Sequence, residues 1–366
     1  MFRHVYPLSF LFNFQPEMDR SSFASFSGVR RWALFIVYGF IAAIILVMFL
    51  RFPGMGRSCL TSLPDLIYSR AQLPYVHRAL VPGTARLMLS CLPSDVRPFL
   101  VNAAQESFLL KKMLEKFDWE PEFLPEYLVS ALLIYVCFIG FAYSVKYLFD
   151  GVYLAPQFLA GFLGVAGLLG LPPFFRYQNY PYDPATLVLF TMGLAFLARE
   201  KWLPFLIFFA IGCVNKETTI LLTLVFAIFY YGRAGMAKEQ YVRLLLAQIA
   251  TFLSIKVVLN LVFWNSPGSF LDFHLLNHNL GLLYPYSWTG LCAGIVLVIL
   301  LSWRWAEKPK FLKVGLVIAL PLGVLTVLFG YLDEYRDYYE VYPIALLLAA
   351  HTMGGAMGTK LVSLRE

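Results

Sequence analysis

The sequence predicts an all-α, polytopic membrane protein of about ten helices, some of them short or broken, with a long extracytoplasmic loop after the first. Three observations predict it. Hydrophobic residues make up 60% of the 366 residues and charged residues 14%, with a mean hydropathy of +0.69; soluble chains carry about 25% charge. The apolar runs are continuous, whereas a membrane barrel needs segments of alternating polarity. Many of the runs approach the roughly 20 residues that cross a hydrocarbon core of about 30 Å.

In chain order, residues 1–31 form a short tail whose aromatic part suits the interface. Trp32–Leu50 is the first helix: it is too long and too late for a secretory h-region, and no small-x-small cleavage site follows. The membrane domain spans 32–355, with 51–127 as the outer loop, and 356–366 is a cytoplasmic tail. Further helices are expected at Leu128–Leu148, Val152–Leu171, Ala185–Ala198, Trp202–Cys213, Thr218–Tyr231, Tyr241–Phe263, Trp288–Trp303, Leu312–Tyr331 and Val341–Thr352. Ten alternating helices with a cytoplasmic N-terminus place sixteen Lys and Arg on the cytoplasmic side. The short loops opposite hold only Arg176, Lys216 and Arg336.

The chain is organised around Trp202–Tyr231. Two apolar runs flank Asn215-Lys216-Glu217, and each is too short to cross as a helix, at about 18 and 21 Å for 1.5 Å per residue. Together they overshoot the membrane. A single crossing would also invert everything after it and send the basic 304–313 loop outside. Two short helices meeting at a polar apex are therefore expected. Charge at such depth is costly and marks a functional site; the plainer alternative is an internally paired break in a helix hairpin.

The net charge of +7 is read through topology. It suits anionic headgroups or lipid-linked phosphate, with the lipid bilayer as partner and no nucleic acid. Cys137, Cys213 and Cys292 lie in apolar runs as packing residues. Cys59 and Cys91 share the outer loop and would pair only in an oxidising space.

In that loop, Val81–Leu92 reads as an amphipathic or re-entrant helix, and Val101–Phe117 as a helix along the interface. Asp65 is its first acid and suits a base role if desolvated. Arg78 and Arg86 carry the planar fork that matches phosphate, against the reading of ordinary loop charges. Asp183-Pro184 reads as a helix start, which makes capping a sufficient role for Asp183. Lys216 and Glu217 point about 100° apart on a regular helix and so seek different partners. His274 and His278, at i,i+4, share a helix face, but a metal site needs more than two ligands, and Asp272 is a weakly spaced third. No cofactor is assigned, and a divalent metal is left open. Glu334, Arg336, Tyr338 and Tyr339 offer charges beside stacking surfaces for a sugar ring.

Three of these patterns resemble GT-C-type membrane glycosyltransferases of the poorly characterised bacterial branch. They are Asp65 followed by Tyr75, Arg78, Leu80 and Pro82; the unit from Asp183 through Asn215-Lys216-Glu217-Thr218; and Glu334-x-Arg336-x-Tyr338-Tyr339-Glu340 before a late helix. The resemblance covers about a third of the chain. It implies a polyprenyl-phosphate sugar as donor, a glycan or lipid-linked acceptor, and transfer at the outer face of the plasma (inner) membrane in cell-envelope polysaccharide biosynthesis. Asp65 would then be the base, with Glu217 beside it in the catalytic pair. Arg78, Arg86, Asp183, Asn215, Lys216, Glu334, Arg336, Tyr338 and Tyr339 would bind substrate. The rival classes are a transporter or flippase of lipid-linked or anionic substrates and a non-catalytic partner in a polysaccharide-export complex.

Overall fold

A computed structural model describes residues 20–52, 55–56, 61–176, 178–269, 273–282, 288–359 and 361–364. Within these the chain is helical apart from one two-stranded pairing and short turns. Helix α1 is Arg20–Leu50. The outer loop contains α2 (Leu63–Ile67), α3 (Leu80–Ser90), α4 (Val96–Glu106) and α5 (Phe108–Phe117). The bundle continues with α6 (Leu124–Val152), α7 (Gln157–Leu169), α8 (Asp183–Ala198), α9 (Trp202–Asn215), α10 (Leu221–Tyr230) and α11 (Lys238–Val262). It closes with α12 (Leu280–Leu282), α13 (Trp288–Ser302), α14 (Lys310–Gly315), α15 (Ala319–Phe329) and α16 (Tyr342–Ala356).

Among the described residues, five helical stretches are long and apolar enough to cross a membrane: Arg31–Leu50, Pro121–Val152, Gln157–Phe175, Lys238–Val262 and Lys310–Phe329. The expectation of about ten membrane helices, some short or broken, meets five of full length and several shorter ones. Asp183–Ala198, Trp202–Asn215, Glu217–Tyr230 and Cys292–Ser302 are shorter apolar helices. The expected interfacial helix at Val101–Phe117 is two helices, because Ser107 is extended and its hydroxyl accepts the Leu110 N–H. Phe99, Phe108 and Leu109 stand exposed on them. Cys91 is a free, exposed thiol and Cys59 lies outside the described residues; Cys292 is exposed rather than packed.

Helix α6 is the centre of the core, buried along its length against α1, α7 and α8. Phe49, Phe138 and Phe175 lock together edge to face, with Phe49 5.7 and 5.3 Å from the other two ring centroids. Such contacts add to the area they bury. Where α1 meets α7, the Tyr38 hydroxyl donates to the Gly161 carbonyl at 2.9 Å. A Cβ on Gly164 would lie 2.2 Å from that hydroxyl, so this approach needs glycine.

Helices α9 and α10 form a hairpin. The Trp202 ring at the start of α9 lies 5.9 and 5.1 Å from Phe226 and Tyr230 at the end of α10. The chain reverses at Lys216, whose backbone is extended (φ −156°, ψ 141°). The turn is tight because Gly212 has no side chain: a Cβ there would fall 2.8 Å from Thr219 Cγ2.

The bundle has two unlike ends. At one, the end of α1 meets the loop before α8, where Asn179 Nδ2 donates to the Phe49 carbonyl at 3.2 Å. That end also holds the α9–α10 apex and the start of α16. At the other, strand β1 (Tyr153–Leu154) pairs antiparallel with β2 (Val362–Ser363). Basic residues gather there, including Lys146, Arg199, Arg233 and Arg304.

A charged and aromatic cluster as candidate functional site

The loop before α8 is the frame. Tyr180 and Tyr182 stack with centroids 5.3 Å apart and planes 7° apart. Asp183 is fully buried as the first residue of α8, and its Oδ2 accepts the Tyr180 N–H at 3.0 Å. It therefore closes its own approach loop instead of capping the helix, which corrects the expected N-cap.

Two arginines reach this frame from far apart in sequence. Arg78 stands 4.7 Å from the Tyr182 ring centroid, donates to the Tyr182 hydroxyl at 2.6 Å and pairs with Glu217 at 2.9 Å. Arg336 lies 4.7 Å from the Tyr180 centroid, 3.6 Å from Asp183 and 2.7 Å from Glu334. Burial works to lower the pKa of each guanidinium. Glu217 for Arg78, and Glu334 with Asp183 for Arg336, outweigh it and hold both well above the usual value.

The hairpin apex supplies the rest. The Ala79 N–H donates to the Val214 carbonyl at 3.2 Å, so the loop bearing Arg78 uses an acceptor that the end of α9 leaves unspent. Asn215 Nδ2 donates to the Tyr182 carbonyl at 3.1 Å and to Thr186 Oγ1 at 2.9 Å. Lys216 pairs with Glu340 at 3.2 Å, with both side chains nearly or wholly buried, and the Thr218 hydroxyl donates to the same carboxylate. Lys256 on α11 comes within electrostatic reach of Glu217 and Arg78.

Asp337 completes the cluster. Its Oδ2 lies where a Cβ on Gly330 would be 2.5 Å away, and Arg336, Lys216 and Arg78 are all within electrostatic reach. Burial pushes its pKa up to about 6 against the pull of those cations. Four cations (Arg78, Lys216, Lys256, Arg336) thus face five carboxyls (Asp183, Glu217, Glu334, Asp337, Glu340). Among the described residues, Asp183 Oδ1, Asn215 Oδ1 and Glu340 Oε2 are buried acceptors that meet no hydrogen-bond donor. Groups of this kind favour an O–H or N–H partner.

Other expected residues lie apart. Asp65 accepts from the Ser62 hydroxyl at 2.6 Å and stands 3.6 Å from Arg70, half-exposed at the start of α2. It is a helix-start carboxylate tied to its own loop, and none of its recorded partners belongs to the cluster. Arg86 donates through Nε to the Ile67 carbonyl at 2.6 Å and reaches Ser69. It closes the end of α2, away from Arg78 and the other partners of the aromatic frame. Tyr339 is buried and stacks on Phe174 at 5.3 Å, so its ring belongs to the core rather than to a sugar platform. Tyr338 is half-buried beside it.

His274 and His278 do not share an α-helical face. The segment Leu275–Asn279 is a π-turn, both rings pack on Tyr331 at 4.5 and 4.6 Å, and His278 bonds to Asp333 at 3.0 Å. Among the described residues no three His, Cys, Asp or Glu side chains converge as metal ligands, and Asp272 lies outside those residues.

Sequence reasoning passed over Lys256, Asp337, Tyr180, Tyr182 and Glu126. Lys256 was visible as a lone cation in an apolar run. Glu126, fully buried at the start of α6, pairs with Arg97 at 2.5 Å and accepts from Tyr68. No protein-family model, curated protein or solved structure matches the chain.

Proposed function

We propose that this chain is an integral membrane glycosyltransferase of the GT-C type. It moves a sugar from a polyprenyl-phosphate donor to a glycan or lipid-linked acceptor on the extracytoplasmic face of the inner membrane, with its N-terminus in the cytoplasm. One observation carries the reading. Arg78 and Arg336 lie over the Tyr182 and Tyr180 rings, and together with Lys216, from a third distant part of the sequence, they come within electrostatic reach of one carboxyl, Asp337.

In this reaction the acceptor hydroxyl attacks the anomeric carbon as the bond from that carbon to the phosphate oxygen breaks. The lipid phosphate leaves with the electron pair, and the cations stabilise its charge. One such interaction accounts for about 10²–10³ in rate. The acceptor proton passes to a carboxylate. Asp337 suits this role better than Asp65, because it stands among the cations that would hold the phosphate, whereas the partners of Asp65, Ser62 and Arg70, are local. The Arg78–Glu217 pair is the entry for phosphate, since Glu217 keeps 42% of its side chain exposed. Asp183 and Glu334 orient Arg336, and Glu340 orients Lys216. The unspent acceptors at Asp183, Asn215 and Glu340 suit a ligand rich in hydroxyls.

A flippase would spread charge along a path through the bundle. The convergence of these groups at one end favours transfer. The test is a vesicle assay with the purified chain, a polyprenyl-phosphate sugar and a lipid-linked acceptor, comparing R78Q, K216M, R336Q and D337N. Each is expected to lose at least about 10²-fold in transfer while staying folded. Full transfer by all four variants overturns the site, and donor translocation without bond cleavage by the wild type overturns the activity.

A further inference from the structure

The far end of the bundle contains a feature that the transfer chemistry does not use. A groove of about 690 Å³ opens sideways, with α6 as its floor and α1, α8 and α9 as its walls. Leu34, Met192, Phe196 and Phe208 line it. Its volume lies within the range of about 300–1,000 Å³ typical of ligand sites. Gly140 leaves room on the floor: the nearest atoms to a Cβ there would be the Val188 methyls, at 3.5 and 3.6 Å.

The groove is apolar along its length and cationic at its mouth. Arg31 and Lys146 line the mouth with Tyr143 and Tyr147. Arg199 stands beside them, 4.0 Å from the Tyr147 ring centroid and donating to the Tyr147 carbonyl at 2.9 Å. Against these three cations stands Asp150, paired with Lys146 at 2.6 Å. Arg31 pairs with no carboxylate among the described residues. From Gly140 to Tyr147 the floor runs about 10 Å, most of a leaflet's half-share of a core of about 30 Å. From Asp183 to Phe196 along α8 is about 20 Å, so this groove is separate from the cluster.

We propose that the groove binds an anionic glycerophospholipid from the leaflet next to the basic loops. One acyl chain lies along α6, and the headgroup phosphate sits between Arg31 and Lys146. Charge complementarity at the mouth selects the phosphate, the apolar floor selects the chain, and the paired tyrosines suit the depth at which headgroup and hydrocarbon meet. A free phosphate would gain nothing from the apolar floor.

The test uses the full chain in mild detergent with equal phosphatidylglycerol and phosphatidylcholine, and native mass spectrometry to count retained lipid. The wild type is expected to retain phosphatidylglycerol at least about fivefold over phosphatidylcholine, and R31Q/K146Q to lose that preference. G140L, which fills the floor, is expected to lose the bound lipid of either kind. D150N, which frees Lys146, is expected to retain more phosphatidylglycerol and settles the matter if the double variant does not fold. Equal retention by wild type and R31Q/K146Q, or by wild type and D150N, overturns the proposal. So does displacement of the lipid by millimolar inorganic phosphate, which would make the mouth a plain anion site.

Discussion

Arg78 and Glu217, 139 positions apart, form an ion pair of 2.9 Å, and the same guanidinium donates to Tyr182. One side chain thus ties the outer loop to both the α9–α10 apex and the start of α8. R78Q strands Glu217 and removes the bond to Tyr182. A loss of about 1–3 kcal/mol of stability is expected, from the cost of an unsatisfied polar group. E217Q is expected to cost at least as much, because it strands Arg78, whose side chain is only 12% exposed, whereas the Glu217 left by R78Q is 42% exposed and partly served by water. Thermal unfolding of the two variants in detergent checks the order.

Lys216 and Glu340 are more deeply placed, and their pair gives a sharper asymmetry. Removing either partner leaves a buried charge unpaired, at about 3–5 kcal/mol. K216M/E340L is expected to recover most of that loss in stability while transfer stays abolished. A double-mutant cycle by unfolding, run beside the vesicle assay, separates the two effects.

Asp337 governs a pH response. Its folded pKa of about 6 lies above the ordinary 3.8, so the folded state holds this proton more tightly than the unfolded chain. Its contribution to stability is fully present below pH 3.8 and is lost as pH rises through about 6. Transfer runs the other way and should rise through pH 6 as the base ionises. D337N is expected to abolish transfer and to flatten the fall in unfolding temperature between pH 5 and 7. A fall of unchanged size in D337N would assign it to another group.

At the start of α6, Arg97 keeps about half its side chain in solvent while Glu126 has none. R97Q strands a buried carboxylate, whereas E126Q leaves an arginine that water can serve. R97Q is therefore expected to be the more destabilising, by about 1–3 kcal/mol, and E126Q to cost less. The unfolding midpoints of the two variants decide it.

What could be read from the sequence follows the physics of each signal. Hydropathy found the helical segments because burial in lipid demands continuous apolar runs. It also marked Trp202–Cys213 as apolar but too short to cross, and the chain forms a short apolar helix there, Trp202–Asn215. The Asn215-Lys216-Glu217 apex stood out because charge at depth is rare. Asp65 attracted attention as an isolated acid in the loop, yet its partners, Ser62 and Arg70, are local. Asp337 stayed hidden among neighbouring charges, since its distinction is the burial and cationic company that only the folded chain supplies. Tyr180 and Tyr182 left no local trace of their role, because the cations that meet them, Arg78 and Arg336, come from distant parts of the chain.

The short pairing of Tyr153–Leu154 with Val362–Ser363 also has a bearing on parity. Two hydrogen-bonded strands lie on the same side of a bilayer, so an even number of crossings must separate them. On the proposed topology, in which the short apolar helices also count as crossings, α7, α8, α9, α10, α11, α13, the α14–α15 rod and α16 make eight. Merging α9 and α10 into one crossing makes seven and would leave the partner strands on opposite sides. Sidedness reporters placed beside Leu154 and beside Leu361 should therefore agree.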